Sequence, residues 1–322
     1  SYCDLHTNRE SGLSALASAL TGYAAYYGLL TEEARRPNLE VTVTAELWEP
    51  TDFSILGDWI GKQRQPSWEL PYGPIPAIKG LPAEITHEQK KALSAAAANY
   101  GCPLLYVDEH PPAKFQAQLV FGAEELAARY AALRPDTAVS LITIGCPQAS
   151  VGELRAAAKL LKGKRVTVKP QAAGDPPPLW IFTSSANKGI AEKTGLAEII
   201  RQSGALLLEN TCPEVVPYDQ VWVKHILTNS MKAEHYIKSG LNGIPTSVMT
   251  LPECIALATG ELALKLESNA QLDSERPKES VRPSPNLMDP SPAVTGSFSA
   301  NGRGLPSQGN FVIQGEAFVS EA

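Results

Sequence analysis

Short apolar segments alternate with helical ones over the second half of the chain, and this alternation constrains the fold more than any other feature. Each apolar segment reads as a strand buried on both faces, and each is followed by a turn and a stretch with helical periodicity. The pattern predicts an α/β fold with mostly parallel sheets covered by helices. The predicted strands lie at 139–145, 179–185, 205–210 and 221–227, and the predicted helices at 151–164, 187–204 and 251–266.

The first half mixes helices and strands around a proline-rich segment. Alternating apolar and polar residues predict a half-buried strand over 39–48, and the apolar run 103–107 predicts another. The segment 65–82 is rich in proline and is predicted to be a loop. Asp52 and Thr86 are predicted helix caps. Helical spacing predicts one buried helix within 10–30 and further helices at 51–62, 86–99 and 122–133.

The composition changes after residue 265. Prolines and serines dominate 266–304, which therefore cannot bury a core and is predicted to be a linker. The apolar residues in 305–322 predict the first strand of a further domain, because so short a segment cannot form a domain alone. The predicted organisation is a main part at 1–265, a linker and the start of a second domain. Because Ser1 stands where an initiating methionine is usual, we expect a fragment of a longer chain.

Charge and hydropathy argue against two classes of partner. The chain has 28 basic and 34 acidic residues and a net charge of −6, so it lacks the basic excess typical of nucleic-acid-binding proteins. No stretch approaches the roughly 20 consecutive apolar residues of a membrane-spanning helix. We therefore expect no nucleic-acid partner and no membrane association. Because no secretory signal is visible, a cytoplasmic location with reduced thiols is predicted.

Two of the five cysteines occupy matching positions. Cys146 and Cys212 each follow an apolar strand and each precede a proline. Since ligands of α/β sheets bind beyond the carboxyl ends of the strands, both thiols are predicted to face one crevice and to ligate a metal or cluster. Taken singly, either cysteine is more simply a small buried residue, as we expect for Cys102 and Cys254. A zinc site that adds His235 is least favoured, because the close ligand spacing of structural zinc sites is missing.

A polar segment that contains Thr228, Asn229, Ser230 and Lys232 follows the strand at 221–227. If a helix begins near Asn229 or Ser230, the hydroxyl, the next backbone amides and Lys232 form a positive helix end that suits a carboxylate or phosphate. The simpler alternative is a helix cap with Lys232 in solvent.

A second polar group, Asn8, Arg9 and Glu10, precedes the first predicted helix. The forked guanidinium of Arg9 can clamp a carboxylate, and a pair with Glu10 is the simpler alternative. His225 lies on an apolar strand and is most simply a buried, hydrogen-bonded residue.

The motifs TNRESGLSALASALTG, FSILGDWIGK, GCP, ENTCPEVVP and TNSMKAEHY follow one another along the chain. In order and spacing they resemble the aconitase X family, over about residues 2 to 265. The resemblance implies an aconitase-like catalytic part and a small, β-rich swivel domain. Residues 305–322 would then be the first strand of this swivel domain, fused to the catalytic part through the linker. The family's large part usually begins earlier, in a region with a further cysteine. One departure from the family is the segment 107–113, which stands in place of its histidine-containing strand.

The resemblance implies that the protein dehydrates a small hydroxy acid at an iron–sulfur cluster. Cys146 and Cys212 match cluster-ligating positions, and a third thiolate would come from the preceding region. Ser230 and Lys232 match catalytic positions of the substrate loop. The matching substrate-binding positions are Thr228 and Asn229 in the same loop and Asn8, Arg9 and Glu10 in an NRE motif.

Family members act on cis-3-hydroxy-L-proline or on mevalonate 5-phosphate. We expect the first substrate here, because the large part runs into the small part within one chain. A phosphate would need a second basic group near Lys232, whereas an amino acid needs a carboxylate for its ring nitrogen. The alternative from another class is a non-catalytic, truncated protein without a complete cluster site.

Overall fold

The computed structural model describes residues 5–167 and 175–264. They belong to two units, of which the larger takes in 5–11 and 26–264 and the smaller is described over 12–25. The predicted linker at 266–304 and the predicted domain start at 305–322 lie outside the described residues, so the predicted domain organisation stays a prediction.

The described part of the smaller unit is essentially one helix, α1, Gly12–Thr21. It ends where Gly22 adopts a left-handed conformation, with φ of 73°. None of its residues is buried, and Leu13 is 83% exposed. The predicted single buried helix within 10–30 is therefore wrong in both length and burial, since periodicity reports an apolar stripe but not what covers it. A short 3-10 helix, Gly28–Leu30, lies near the point where the chain re-enters the larger unit.

The first sheet of the larger unit has four parallel strands in the order β3-β2-β1-β4. Burial alternates along β1 as predicted, but this strand ends at Val43 rather than near residue 48. The predicted loop at 65–82 is wrong in part, because β2 lies within it. Pro76 can begin β2 because a proline at the first strand position need not donate to the ladder. The strands are β1 Leu39–Val43, β2 Pro76–Lys79, β3 Tyr106–Val107 and β4 Ala117–Phe121.

Three helices pack with this sheet: α2 Pro50–Gly61, α3 His87–Ala98 and α4 Ala123–Leu133. Thr86 caps α3 as predicted, in a reciprocal capping box with Gln89. Asp52 is not the cap of α2 but its third residue, where its carboxylate accepts the backbone N–H groups of residues 48 and 49. At Gly57 a Cβ would lie 2.2 Å from the Leu93 carbonyl oxygen, so glycine is what allows α2 and α3 to pack closely.

The second sheet has five parallel strands in the order β7-β6-β5-β8-β9, which confirms the predicted α/β class. The predicted helix 187–204 is two helices, because the chain turns at Gly195 with φ of 78°. The predicted strand 221–227 is reduced to β8. The strands are β5 Leu141–Ala149, β6 Leu179–Thr183, β7 Leu206–Glu209, β8 Ile226–Thr228 and β9 Thr246–Val248. The helices are α5 Val151–Leu161, α6 Ser185–Lys193, α7 Leu196–Ser203, α8 Met231–Ser239 and α9 Leu251–Ala258.

The strand order of this sheet determines where a ligand can bind. From β5 the chain moves outward through β6 to β7, and it then returns to the other side of β5 to form β8 and β9. The order therefore reverses beside β5, and ligands of open α/β sheets bind beyond the carboxyl ends of the strands at such a point. Among the described residues, no helix is long and apolar enough to cross a membrane.

Candidate active site

The sequence predicts that Cys146 directly follows a strand. In the structure it lies within β5, in an irregular part of that strand. The pairing of β5 with β6 runs to Ile144 and resumes only at Ala149, so 145–148 lie outside the regular ladder. Gly145 makes this departure possible, since its φ is 100° and a Cβ there would lie 2.1 Å from the Phe182 carbonyl oxygen. Cys146 therefore lies in a segment that the ladder to β6 does not fix.

The structure brings Cys146 and Cys212 to one cavity with a volume of about 620 Å³. Cys146 enters from β5 and is buried, while Cys212 enters from the loop after β7 and is partly exposed. Carboxyl ends of neighbouring parallel strands meet at one sheet edge, which explains why two sites 66 residues apart converge. Polar side chains from the loops and from α6 line the same cavity, including Asn187 and Asn210.

Two charged side chains also line the cavity, Glu214 and Lys232. The Cys146 thiol donates to the Glu214 carboxylate at 3.1 Å, and the Lys232 ammonium lies 3.8 Å from the same carboxylate oxygen. Burial raises the pKa of the Cys146 thiol well above its ordinary value, and the Glu214 carboxylate raises it further. A positive charge beside the thiol, such as a bound metal, would favour its ionised form. Sequence patterns did not single out Glu214, although it directly follows the second Cys-Pro pair.

Ser230 is the cap of α8, as the simpler sequence interpretation predicts. Its hydroxyl donates to the Cys146 carbonyl oxygen and accepts the backbone N–H groups of Lys232 and Ala233. A serine hydroxyl has one proton to donate and two lone pairs, so all of its hydrogen-bonding capacity is used. These contacts give Ser230 a structural role beside the cysteine segment, and its catalytic role stays a prediction.

The first amides of α8 do not form an open anion site. The Met231 N–H donates to the Ser54 hydroxyl at 2.9 Å, and the next two amides are taken by Ser230. Thr228 is fully buried, and its hydroxyl has no hydrogen-bond partner within the described residues. Asn229 is partly exposed, and its carbonyl accepts the Thr51 hydroxyl at 3.1 Å. Of the predicted substrate loop, only Lys232 lines the cavity that holds Cys146 and Cys212, and the substrate-binding roles of Thr228 and Asn229 stay predictions.

The NRE motif is not among the described residues that line this cavity. Asn8 ties two backbone groups together, donating to the Tyr27 carbonyl and accepting the Leu29 N–H at 2.7 Å. Arg9 donates to the Ala98 carbonyl oxygen at 2.9 Å, and Glu10 is exposed. The structure gives Asn8 and Arg9 contacts with backbone groups that are distant in sequence, and the substrate-binding role of all three residues stays a prediction.

The zinc site that the sequence favours least is not formed by the described residues. His235 lies 3.2 Å from the Tyr100 hydroxyl and is absent from the cavity lining. In residues 5–167 and 175–264, no group of three or more His, Cys, Asp or Glu residues could hold a metal ion. Cys102 and Cys254 are buried, as expected for packing residues. The His225 ring is also buried, and its two nitrogens contact hydroxyl groups at 2.6 and 2.9 Å, which confirms a hydrogen-bonded core histidine.

The cavity fits an iron–sulfur cluster in the chemistry of its donors. Cysteine thiolates are the usual cluster ligands, and both Cys146 and Cys212 line this cavity. Lys232 supplies a positive charge that offsets thiolate charge. Two candidate ligands thus lie among the described residues, and the third thiolate that the family resemblance implies stays a prediction.

Comparison with known proteins points to one family. Residues 139–260 match the aconitase X third domain. The phosphomevalonate dehydratase large subunit of Thermococcus kodakarensis is 31% identical over 242 residues, which cover 72% of this chain and 58% of that protein. The same subunit of Methanothermobacter thermautotrophicus is 32% identical over 256 residues, covering 76% and 60% respectively. The cis-3-hydroxy-L-proline dehydratase of Hypocrea jecorina is 26% identical over 261 residues, covering 74% and 41%.

A solved structure shares the fold as well as the sequence. The crystal structure of Thermococcus kodakaraensis aconitase X in its holo form superposes with a TM-score of 0.67 at 29% identity, covering 79% of this chain and 63% of that one. This chain spans about three fifths of the length of the two large subunits above. The matched domain, the relatives and the shared fold agree on one assignment: the chain belongs to the aconitase X family.

Proposed function

We propose that the protein is a hydro-lyase that dehydrates a small hydroxy acid at an iron–sulfur cluster, with Cys146 and Cys212 as two of the cluster ligands. The observation that carries this proposal is the convergence of two Cys-Pro segments and Lys232 on one cavity. The dehydratase names of the relatives support the reaction class.

Dehydration requires hydroxide, a poor leaving group, to depart from the substrate. A bound cluster with an open coordination position would supply a Lewis acid for the substrate hydroxyl. Lys232 offers its ammonium to the substrate carboxylate and stabilises the charge that grows there as the adjacent proton leaves. Glu214 keeps Lys232 in place when no substrate is bound, since the two side chains are only 3.8 Å apart.

The cavity lining favours cis-3-hydroxy-L-proline as the substrate. Among the described residues of this lining, Lys232 is the only basic one, whereas a phosphate is usually bound by several donors. Glu214 provides a carboxylate that could pair with a protonated ring nitrogen. Mevalonate 5-phosphate is the second candidate, because relatives named phosphomevalonate dehydratase are 30 to 32% identical.

The proposal includes a swivel domain as a partner of the catalytic part. Several relatives are large subunits by name, which supports a separate smaller partner. Fusion through 266–304 and a cytoplasmic location stay predictions.

Turnover by the full-length protein, loaded anaerobically with iron and sulfide, tests the proposal. We expect loss of cis-3-hydroxy-L-proline, followed by NMR, and a drop in kcat/KM of about 100-fold in Lys232→Met, the effect of removing one charge-stabilising donor. Lys238→Met, on the same helix but more exposed, is the matched control and should stay within about twofold.

The possible outcomes separate the alternatives. Turnover of mevalonate 5-phosphate alone would replace the substrate but keep the reaction class. A loaded protein that consumes neither compound would favour the non-catalytic alternative.

A further inference from the structure

Lys91 is a largely buried lysine where α3 meets the end of β5. Its side chain is 16% exposed, and its ammonium contacts the Glu153 carboxylate and donates to the Gln148 carbonyl oxygen at 3.0 Å. The same oxygen of Glu153 accepts the Ser150 N–H at 2.7 Å, so a single carboxylate oxygen joins α3 to the start of α5. Because a buried ammonium needs a partner, this arrangement fixes Lys91 in one position.

A second contact from the same helix reinforces the first. Ser150 donates its hydroxyl to the Glu88 carboxylate at 2.6 Å. Glu88 and Lys91 are three residues apart and therefore lie on one face of α3. This face of α3 thus holds the backbone on both sides of Ala149.

The backbone held in this way carries Cys146. The ladder between β5 and β6 is interrupted between Ile144 and Ala149, and the pairing with β8 ends at Thr143. Contacts from outside the sheet take over this segment. Ser230 donates to the Cys146 carbonyl, and Lys91 donates to the Gln148 carbonyl. The side-chain amide of Gln148 donates to the Thr211 carbonyl at 3.0 Å.

A small second cavity shows how close Lys91 comes to the cysteine. It has a volume of about 20 Å³, and its lining includes Lys91, Cys146, Pro147 and Ser230. Cys146 and Pro147 line the larger cavity as well. The Cys-Pro segment therefore lies between the larger cavity and the Lys91 contact.

We propose that Lys91 is a positioning residue that holds the backbone of the Cys146 segment through the Gln148 carbonyl, and so fixes the Cys146 thiol for ligation. The proposal rests on the proposed function only for the statement that Cys146 ligates an iron–sulfur cluster. The position of the thiol itself is a property of the metal-free chain and can be measured without a cluster.

The experiment is site-resolved alkylation of the metal-free, full-length chain with iodoacetamide, read by mass spectrometry. Lys91→Met should raise the labelling rate of Cys146 by about tenfold relative to the buried Cys102, since opening by about 1.4 kcal/mol corresponds to that factor. Lys90→Met removes an exposed lysine one residue away and should leave the ratio unchanged. Lys91→Arg, which keeps the charge and the donors, should restore most of the protection.

Equal Cys146 labelling in Lys91→Met and Lys90→Met would overturn the proposal. If Lys91→Met does not fold, Lys91→Gln, which keeps one donor, replaces it with the same comparison. Visible circular dichroism of the iron- and sulfide-loaded chain provides the second readout, and an altered signal is expected in Lys91→Met but not in Lys90→Met. Absence of any cluster in the unmodified chain would overturn the proposed function while the alkylation result still decides the role of Lys91.

Discussion

Replacing Ser230 with alanine removes the link between α8 and the cysteine segment. The variant loses the cap of α8, where the hydroxyl accepts the N–H groups of Lys232 and Ala233. It also leaves the Cys146 carbonyl, in a buried environment, without its donor. Ser230 itself is 7% exposed, so water has little access to replace these bonds.

The two losses give the expected magnitude. A lost serine cap costs about 1 kcal/mol, and a buried carbonyl without a partner costs about 1 to 3 kcal/mol. We expect Ser230→Ala to lower the free energy of unfolding by about 2 to 4 kcal/mol. Urea unfolding followed by circular dichroism measures this change, with the slope against urea unchanged if both states keep their compactness.

Ser184→Ala is the matched control. Ser184 caps α6, the helix that follows β6, and its hydroxyl accepts the Asn187 N–H at 3.2 Å. Among the described residues, this hydroxyl makes no bond to a buried carbonyl like the one that Ser230 makes. This variant should lose only about 1 kcal/mol. Equal losses in the two variants would refute the argument that Ser230 holds the Cys146 backbone.

Two further predictions concern buried polar groups in the second sheet. Thr228→Val should keep or raise the melting temperature, because the hydroxyl of this fully buried residue has no partner within the described residues, and a clear drop would contradict that picture. Burial lowers the pKa of His225 below its ordinary value of 6.5, outweighing the opposing effect of Asp136. The unfolded chain therefore binds the proton more readily, and stability should fall as the pH drops below about 6.5, by at most about 1.4 kcal/mol per pH unit. Chemical unfolding at several pH values should show a shallower fall in His225→Gln, and an unchanged slope would contradict the assignment.

The convergence of the two cysteines could be predicted because it follows from topology. Parallel strands place their carboxyl ends at one edge, so residues that follow two such strands meet without any knowledge of packing. The helix after Ser230 could be predicted for a similar reason, since its cap and its periodicity are local signals.

Contacts between distant parts of the chain could not be predicted in this way. The hydroxyl of Ser230 is occupied by a carbonyl 84 residues away, a contact that no local sequence signal indicates. Lys91 and Glu153 are 62 residues apart and meet only because α3 packs against the end of β5. The prolines of 65–82 make this segment resemble a loop, so the sequence does not predict strand β2. The exposure of α1 could not be predicted, because periodicity does not show whether another element covers the apolar stripe.

The central claim is that Cys146 and Cys212 together ligate an iron–sulfur cluster. Anaerobic loading of the full-length protein with iron and sulfide, followed by iron and sulfide analysis and the visible spectrum, tests it most directly. We predict a bound cluster in the unmodified chain and in Cys254→Ala, and its loss in both Cys146→Ser and Cys212→Ser. Normal cluster assembly in either serine variant would contradict the assignment of that cysteine and, with it, the account of the site.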